Sequence, residues 1–192
     1  MAEPNPEELF DLGMLSYDKQ DFSKARKYFE KACDLKYGRG CFNLGRLYYY
    51  GEGVEKDFKK AFALFEKACD LNNSGGCDAL GGLYEDGQGV GEDLIKVAYF
   101  YTKACDLKDG SGCFNLGRLY YYGEGVEKDL TKAAYLYSKA CELKESFGCG
   151  ALAVLYINSQ GVEKNLTKAA YFYSKACKLG FQKTCEILKE LK

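Results

Sequence analysis

Residues 41–71 read CFNLGRLYYYGEGVEKDFKKAFALFEKACDL and contain one complete unit of the chain. Leu44, Leu47 and Tyr48 recur at helical spacing, and the two glycines of GEGVEKD then interrupt the helix. Asp57 can cap the N-terminus of a following helix. That helix carries apolar residues at i, i+3 and i+4 spacing on one face, namely Ala61, Leu64, Phe65, Ala68 and Leu71. The segment therefore predicts two helices joined by a short loop, packed as an antiparallel hairpin.

The cysteines show how often this unit recurs. They fall in five pairs of constant internal separation, and successive pairs are 36 residues apart: Cys33 and Cys41, Cys69 and Cys77, Cys105 and Cys113, Cys141 and Cys149, Cys177 and Cys185. A fixed period of this length is typical of a repeat array, in which each unit buries its apolar face by stacking on its neighbours. The sequence predicts an all-α fold, a right-handed α/α solenoid of five antiparallel helix hairpins with a C-terminal capping helix.

The repeat also sets the expected boundaries. We expect an N-terminal tail at 1–6 and a single solenoid domain at 7–192, with no flexible linker inside it. The hairpins are predicted at about 7–36, 39–72, 75–108, 111–144 and 147–179, and the capping helix at 181–191. The first unit is shorter than the others because its loop, YDKQD, lacks four residues.

Each cysteine pair joins the end of one second helix to the start of the next first helix across a short turn. Packed helices can bring such Cα atoms within the range that a disulfide requires. A zinc site is disfavoured because neighbouring pairs lie a repeat apart and the chain has no histidine. Buried free thiols are the other alternative, but the strict pairing favours one disulfide per repeat.

The disulfides indicate the compartment in which the protein is found, and the composition limits its possible partners. Persistent disulfides are typical of secreted, periplasmic or surface proteins. The N-terminus MAEPNPEEL does not look like a signal peptide, so we expect a mature secreted or periplasmic form. Because the net charge is only −1, we expect no nucleic-acid partner. We also expect no membrane insertion, since no apolar run is long enough to span a bilayer. We expect a monomer without cofactor or metal.

The motif C-x2-LG-x-LY-x2-G-x-GV-x-KD-x2-KA-x3-[FY]-x-KAC-[DE]-L resembles a Sel1-like repeat, and the C-x7-C pairs make the chain similar to the Helicobacter cysteine-rich proteins. The resemblance covers residues 7–192, although the fifth unit, CGALAVLYINSQGVEKN, loses two of the motif's glycines. It implies a secreted scaffold with tetratricopeptide-like (TPR-like) hairpins that interacts with host or peptidoglycan components. Some members of that family are described as penicillin-binding or weak β-lactamase proteins.

The first helices line the inner curve of a TPR-like array, so their side chains that are not needed for packing are candidate contacts. Tyrosine and arginine dominate interface energetics, and asparagine can bridge an extended backbone. These residues indicate a groove that binds an extended peptide or protein of mixed charge, of host or cell-wall origin. The candidates are Asn43, Arg46, Tyr49, Tyr50, Asp78, Glu85, Asp86, Asn115, Arg118, Tyr121 and Tyr122.

The alternative is a weak penicillin-binding or β-lactamase-type hydrolase. Without histidine, a Ser-His-Asp or Cys-His site is excluded. One Ser-x-x-Lys match exists, Ser16 to Lys19, and no Ser-Asp-Asn or Lys-Thr-Gly element accompanies it. We expect Ser16 in a hairpin loop, and we predict no catalytic residue.

Overall fold

In a computed structural model of the chain, the structure describes residues 4–190. The described residues form eleven helices and no strands. Part of the predicted tail, residues 1–3, and the predicted end of the capping helix at 191 lie outside the described residues. The helices are α1 Pro6–Asp18, α2 Phe22–Asp34, α3 Gly38–Tyr50, α4 Phe58–Asp70, α5 Ser74–Glu85, α6 Leu94–Asp106, α7 Gly110–Tyr122, α8 Leu130–Glu142, α9 Ser146–Asn158, α10 Leu166–Lys178 and α11 Gln182–Glu190.

The chain divides into two compact units, residues 1–93 and 94–192. In the first unit, α1 packs on α2 and α3 on α4 as antiparallel hairpins, and α5 adds to α4. The apolar faces meet in a core where the Phe29 and Leu47 side chains are fully buried. Each hairpin consists of a first helix and a second helix. In this unit α1, α3 and α5 are first helices, and α2 and α4 are second helices.

The second unit repeats this arrangement. Here α6 packs on α7, α7 on α8, α9 on α10, and α11 covers α10. Its core includes Ala133, Tyr137 and Leu155. The helix content, the hairpins and the α11 cap confirm the predicted fold class, an all-α repeat array. The single-domain boundaries stay a prediction.

All five predicted disulfides are present, and each joins a second helix to the first helix that follows. Their Cα–Cα distances run from 4.4 to 4.9 Å. No cysteine is free. The zinc and free-thiol alternatives are therefore wrong.

Local sequence explains where the helices begin and end. The Asp57 carboxylate accepts from the backbone N–H of Lys60 at 3.0 Å, and Asp21, Asp129 and Asn165 cap their helices in the same way. Helices α3 and α7 are capped at their C-termini by Gly51 and Gly123, whose φ angles of 75° and 80° favour glycine. In the fifth unit Ser159 takes the equivalent left-handed conformation. The Asn165 cap at the start of α10 follows this loop, as Asp57 and Asp129 follow the corresponding loops.

Candidate functional site

The candidate residues of the first unit lie on α3, on α5 and, in the case of Asp86, directly after α5. Asn43 and Arg46 are half-buried. The Asn43 amide donates to the carbonyl of Arg39 at 3.0 Å, and its oxygen faces the Arg46 guanidinium at 3.5 Å. Arg46 also lies 6.0 Å from the ring centroids of Tyr17, Phe42 and Tyr50. Arg46 thus has aromatic walls and keeps N–H donors for a further partner.

Tyr49 and Tyr50 follow on the same helix. Tyr50 is 58% exposed, whereas Tyr49 is half-buried and packs edge-on against Tyr50 and Phe58. Burial, and less strongly the charges of Tyr50 and Asp86, raise the pKa of Tyr49. The Tyr49 phenol therefore stays a neutral hydrogen-bonding group at physiological pH, whereas Tyr50 offers the larger exposed surface.

The acidic candidates of this unit differ in exposure. Asp78 and Glu85 are half-buried on α5, and both already have interaction partners. Asp86 caps the C-terminus of α5 and is exposed, within electrostatic reach of Tyr49. The structure thus places Asp86 near Tyr49, where its carboxylate could meet a cationic group of a ligand.

In the second unit the corresponding residues lie on α7. Arg118 forms an ion pair with Glu124 at 3.5 Å, and Asn115 is half-buried with partners of its own. The Tyr121 hydroxyl and the Gln160 side-chain oxygen lie 3.3 Å apart, and Tyr122 is 60% exposed. Beneath them, burial raises the pKa of Tyr137 far above its usual range. Tyr122 therefore presents the free ring here, as Tyr50 does in the first unit.

Sequence reasoning missed several residues that complete these sites, among them Tyr17, Glu52 and Glu124. The Tyr17 hydroxyl donates to the Glu52 carboxylate at 2.9 and 3.1 Å. Register could have identified Tyr17, because it stands four residues after Gly13, as Tyr49 stands four residues after Gly45. Nothing in the loop sequence GEGVEKD indicates that its first glutamate faces the arginine side of the helix.

Ser16 requires a correction. It lies in the last turn of α1 rather than in a hairpin loop, it is only 6% exposed, and its hydroxyl donates to the Leu12 carbonyl at 2.8 Å. Helix α1 ends five residues after Gly13, just as α3 ends five residues after Gly45, so Ser16 corresponds to Tyr48 and belongs to the helix. No group of three or more cysteine or carboxylate side chains among residues 4–190 is arranged to hold a metal ion. In that same range, no helix is long and apolar enough to cross a bilayer.

One surface depression lies away from the candidates. It has a volume of about 720 Å³ and follows α2, where Lys24, Lys27 and Lys31 alternate with Glu30 and Asp34. Because these charges are of both signs and exposed, the depression does not select one ligand charge.

Comparison with known families gives four successive matches to the Sel1 repeat, at residues 38–73, 75–109, 110–145 and 146–181. The chain belongs to the Sel1 repeat family. Residues 6–37 match the tetratricopeptide repeat instead, in agreement with the shorter loop of the first hairpin. The Sel1 repeats thus begin at α3, the first helix that a disulfide joins to the helix before it.

Solved Sel1 repeat structures share the fold. A Sel1 repeat protein from Oxalobacter formigenes superposes with a TM-score of 0.86 at 25% identity, over 96% of this chain and 75% of that one. Cysteine rich protein B of Helicobacter pylori has a TM-score of 0.58 at 40% identity, over 69% of this chain and 95% of its own. The predicted resemblance to the Helicobacter cysteine-rich proteins is confirmed.

Among curated relatives, "Putative beta-lactamase HcpC" of Helicobacter pylori is 68% identical over 56 residues, which are 29% of this chain. The matched stretch is 19% of HcpC. The five disulfides and these cysteine-rich relatives together favour an oxidising compartment outside the cytoplasm.

Proposed function

We propose that this Sel1 repeat chain is a secreted or periplasmic scaffold that binds an extended peptide or protein segment. The binding surface is the first-helix face, defined in the first unit by Asn43, Arg46, Tyr49, Tyr50, Asp78, Glu85 and Asp86, and in the second by Asn115, Arg118, Tyr121 and Tyr122. The observation that carries the proposal is the recurrence of an exposed tyrosine, Tyr50 or Tyr122, beside a half-buried arginine.

Helix packing within each unit supports the choice of this face. The first helices of successive repeats approach one another directly, α1 with α3, α3 with α5 and α7 with α9. The second helices do not approach as closely, for instance α2 and α4, or α8 and α10. A surface that narrows on the first-helix side is concave there, and concave solenoid surfaces are the ones that hold extended ligands.

The residue chemistry on this face supports a peptide ligand. An exposed tyrosine buries a large amphipathic ring when a partner docks, at little cost in conformational entropy. Neighbouring asparagine amides can pair with a peptide backbone, which presents one donor and one acceptor per residue. The combination of rings, an arginine and a carboxylate fits a segment of mixed charge.

The test is selection from a displayed library of random twelve-residue peptides on the oxidised protein, with reduced and alkylated protein as the unfolded control. For an enriched peptide, we expect Tyr50→Ala or Tyr122→Ala to weaken binding by roughly 1–3 kcal/mol, as measured by fluorescence polarisation. Lys67→Ala, on the second-helix side, is the matched control and should change affinity by less than about 0.5 kcal/mol. Binding that responds to Lys67→Ala and ignores both tyrosines would place the interface elsewhere.

A further inference from the structure

Two stretches of the chain have the same sequence but different contacts. Residues 41–57 and 113–129 both read CFNLGRLYYYGEGVEKD, so Arg46 corresponds to Arg118 and Glu52 to Glu124. The backbone of both segments is a first helix that ends in a left-handed glycine, Gly51 or Gly123. Any difference between the two arginines therefore comes from what surrounds the segments.

In the second unit the arginine and glutamate neutralise each other. The Arg118 guanidinium lies 3.5 Å from the Glu124 carboxylate. A carboxylate of a ligand would have to displace this internal partner, which offsets most of the gain from a new ion pair. The contact also proves that the segment's own geometry lets its glutamate reach its arginine.

In the first unit the glutamate is turned to a different partner. The Glu52 carboxylate accepts a hydrogen bond from the Tyr17 hydroxyl, which lies 2.9 Å from one carboxylate oxygen and 3.1 Å from the other. Arg46 consequently forms no ion pair with a described carboxylate, and its polar contact is the Asn43 oxygen at 3.5 Å. The rings of Tyr17, Phe42 and Tyr50 surround the guanidinium. At 6.0 Å, the outer limit of a cation–π contact, each ring stabilises the cation only weakly, and the half-buried position of Arg46 limits access of water.

We propose that Arg46, held among Tyr17, Phe42 and Tyr50, binds a carboxylate of the peptide ligand, and that Tyr17 is the positioning residue that keeps Glu52 from occupying this place. This inference rests on the proposed peptide-binding function and specifies the ligand as an acidic segment. A guanidinium offers parallel N–H donors that match a carboxylate, and such charge-assisted pairs are stronger where solvent is limited. The exposed ring of Tyr50 then covers the pair from the solvent side.

The hydroxyl of Tyr17 is suited to hold Glu52 over the physiological pH range. Burial, together with the hydrogen bond to Glu52, raises the pKa of Tyr17. The phenol therefore keeps the proton that it donates, and part of the Glu52 charge is offset by this bond. Phenylalanine at position 17 would retain the ring beside Arg46 and lose the donor.

The experiment is selection from a displayed peptide library in which one central position is randomised among Glu, Asp, Gln, Asn, Lys and Ala, read by sequencing. We expect the oxidised wild-type chain to enrich Glu and Asp over Gln and Asn by roughly tenfold, as for a hydrogen-bonded charged group. Arg46→Ala should abolish this preference, Arg46→Lys should keep part of it, and Lys67→Ala should leave it unchanged. Circular dichroism and disulfide mass confirm that each variant is folded.

The variants of Tyr17 test the positioning role. In Tyr17→Phe, Glu52 is free to pair with Arg46 as Glu124 pairs with Arg118, so the preference for acidic residues should fall severalfold. Tyr17→Phe combined with Glu52→Gln should restore it, because no internal carboxylate then competes. A merely structural role of Tyr17 would not be rescued by the second change.

The outcomes separate the inference from the function on which it rests. Peptide enrichment without an acidic preference, or an acidic preference that survives Arg46→Ala, overturns the inference and leaves peptide binding intact. An unchanged preference in Tyr17→Phe overturns the positioning role. If no peptide is enriched over the reduced and alkylated control, the proposed function fails and the inference with it. Synthetic copies of an enriched peptide, with Glu or Gln and with a free or amidated carboxyl terminus, show which carboxylate binds.

Discussion

Ser16 begins the chain's one Ser-x-x-Lys sequence. Its surroundings decide whether its hydroxyl could act as a nucleophile. A serine nucleophile needs a base within hydrogen-bond reach and an accessible oxygen. The Ser16 oxygen instead donates to the Leu12 carbonyl of its own helix, and the side chain is buried. This is the usual way in which a serine inside a helix satisfies its hydroxyl.

Replacing Ser16 with alanine therefore should not affect any β-lactam hydrolysis by the purified protein. We expect nitrocefin turnover by Ser16→Ala to match the wild-type rate within about twofold, since the hydroxyl has no activating partner. The comparison is made on oxidised protein, with a buffer blank and the Lys67→Ala variant as controls. A wild-type burst of one product per chain that disappears in Ser16→Ala would show that this serine is a nucleophile after all.

At the scale of the helices, glycine just before the second cysteine of a pair lets neighbouring helices touch. A Cβ on Gly76 would lie 2.7 Å from the Ala68 Cβ and 2.9 Å from both the Cys69 nitrogen and the Phe65 oxygen. Gly40, Gly112 and Gly148 meet the same crowding. The fifth pair has Thr184 at this position, and its Cα–Cα distance, 4.9 Å, is the longest of the five. The small residue is thus what allows the closest approach.

Gly76→Ala should destabilise the protein by about 1–3 kcal/mol, because two of the crowding atoms belong to the backbone and cannot rotate away. The measurement is the free energy of unfolding in urea, followed by circular dichroism of the oxidised protein. Gly91→Ala is the matched control, since nothing lies within 4 Å of its Cβ position. Equal stability of the two variants would mean that the helices can separate at no cost.

At the scale of the whole molecule, the disulfides are the feature common to every repeat. Two lie in the first unit and three in the second, all between consecutive helices. Each closes a short loop, which in the chain-entropy model contributes about 2.5 kcal/mol by restricting the unfolded chain. The remaining stability comes from the apolar cores, built of alanine, leucine and phenylalanine in the first unit and of alanine, leucine and tyrosine in the second.

Oxidised protein should have a mass ten hydrogens below that of the reduced chain, and digestion should release the five local pairs as linked peptides. Reduction should lower the melting temperature by on the order of 20 °C or more, because several bridges act together. The measurements are non-reducing mass spectrometry and thermal unfolding with and without a reductant. Ten thiols open to alkylation in native periplasmic or secreted material would contradict both expectations.

The repeat, the helix boundaries and the disulfide pairs could all be predicted from sequence because each depends on residues close together in the chain. The spacing of Cys69 and Cys77, the cap at Asp57 and the apolar face of α4 need only helical geometry and a turn. Ser16 was predicted in the loop, but α1 ends five residues after Gly13, just as α3 ends five residues after Gly45, so Ser16 corresponds to Tyr48 inside the helix. The face that carries Arg46 and Tyr50 was also predictable, since register alone aligns the first helices.

The tertiary structure alone decided how the two identical segments differ. Residues 41–57 and 113–129 have the same propensities and the same local geometry, so no property of the segments themselves can distinguish Arg46 from Arg118. The difference comes from Tyr17, which is 35 residues from Glu52 in the chain and donates a hydrogen bond to it. Local sequence determines the backbone of each repeat, but the partner of a charged side chain is whichever group packing brings within about 3 Å.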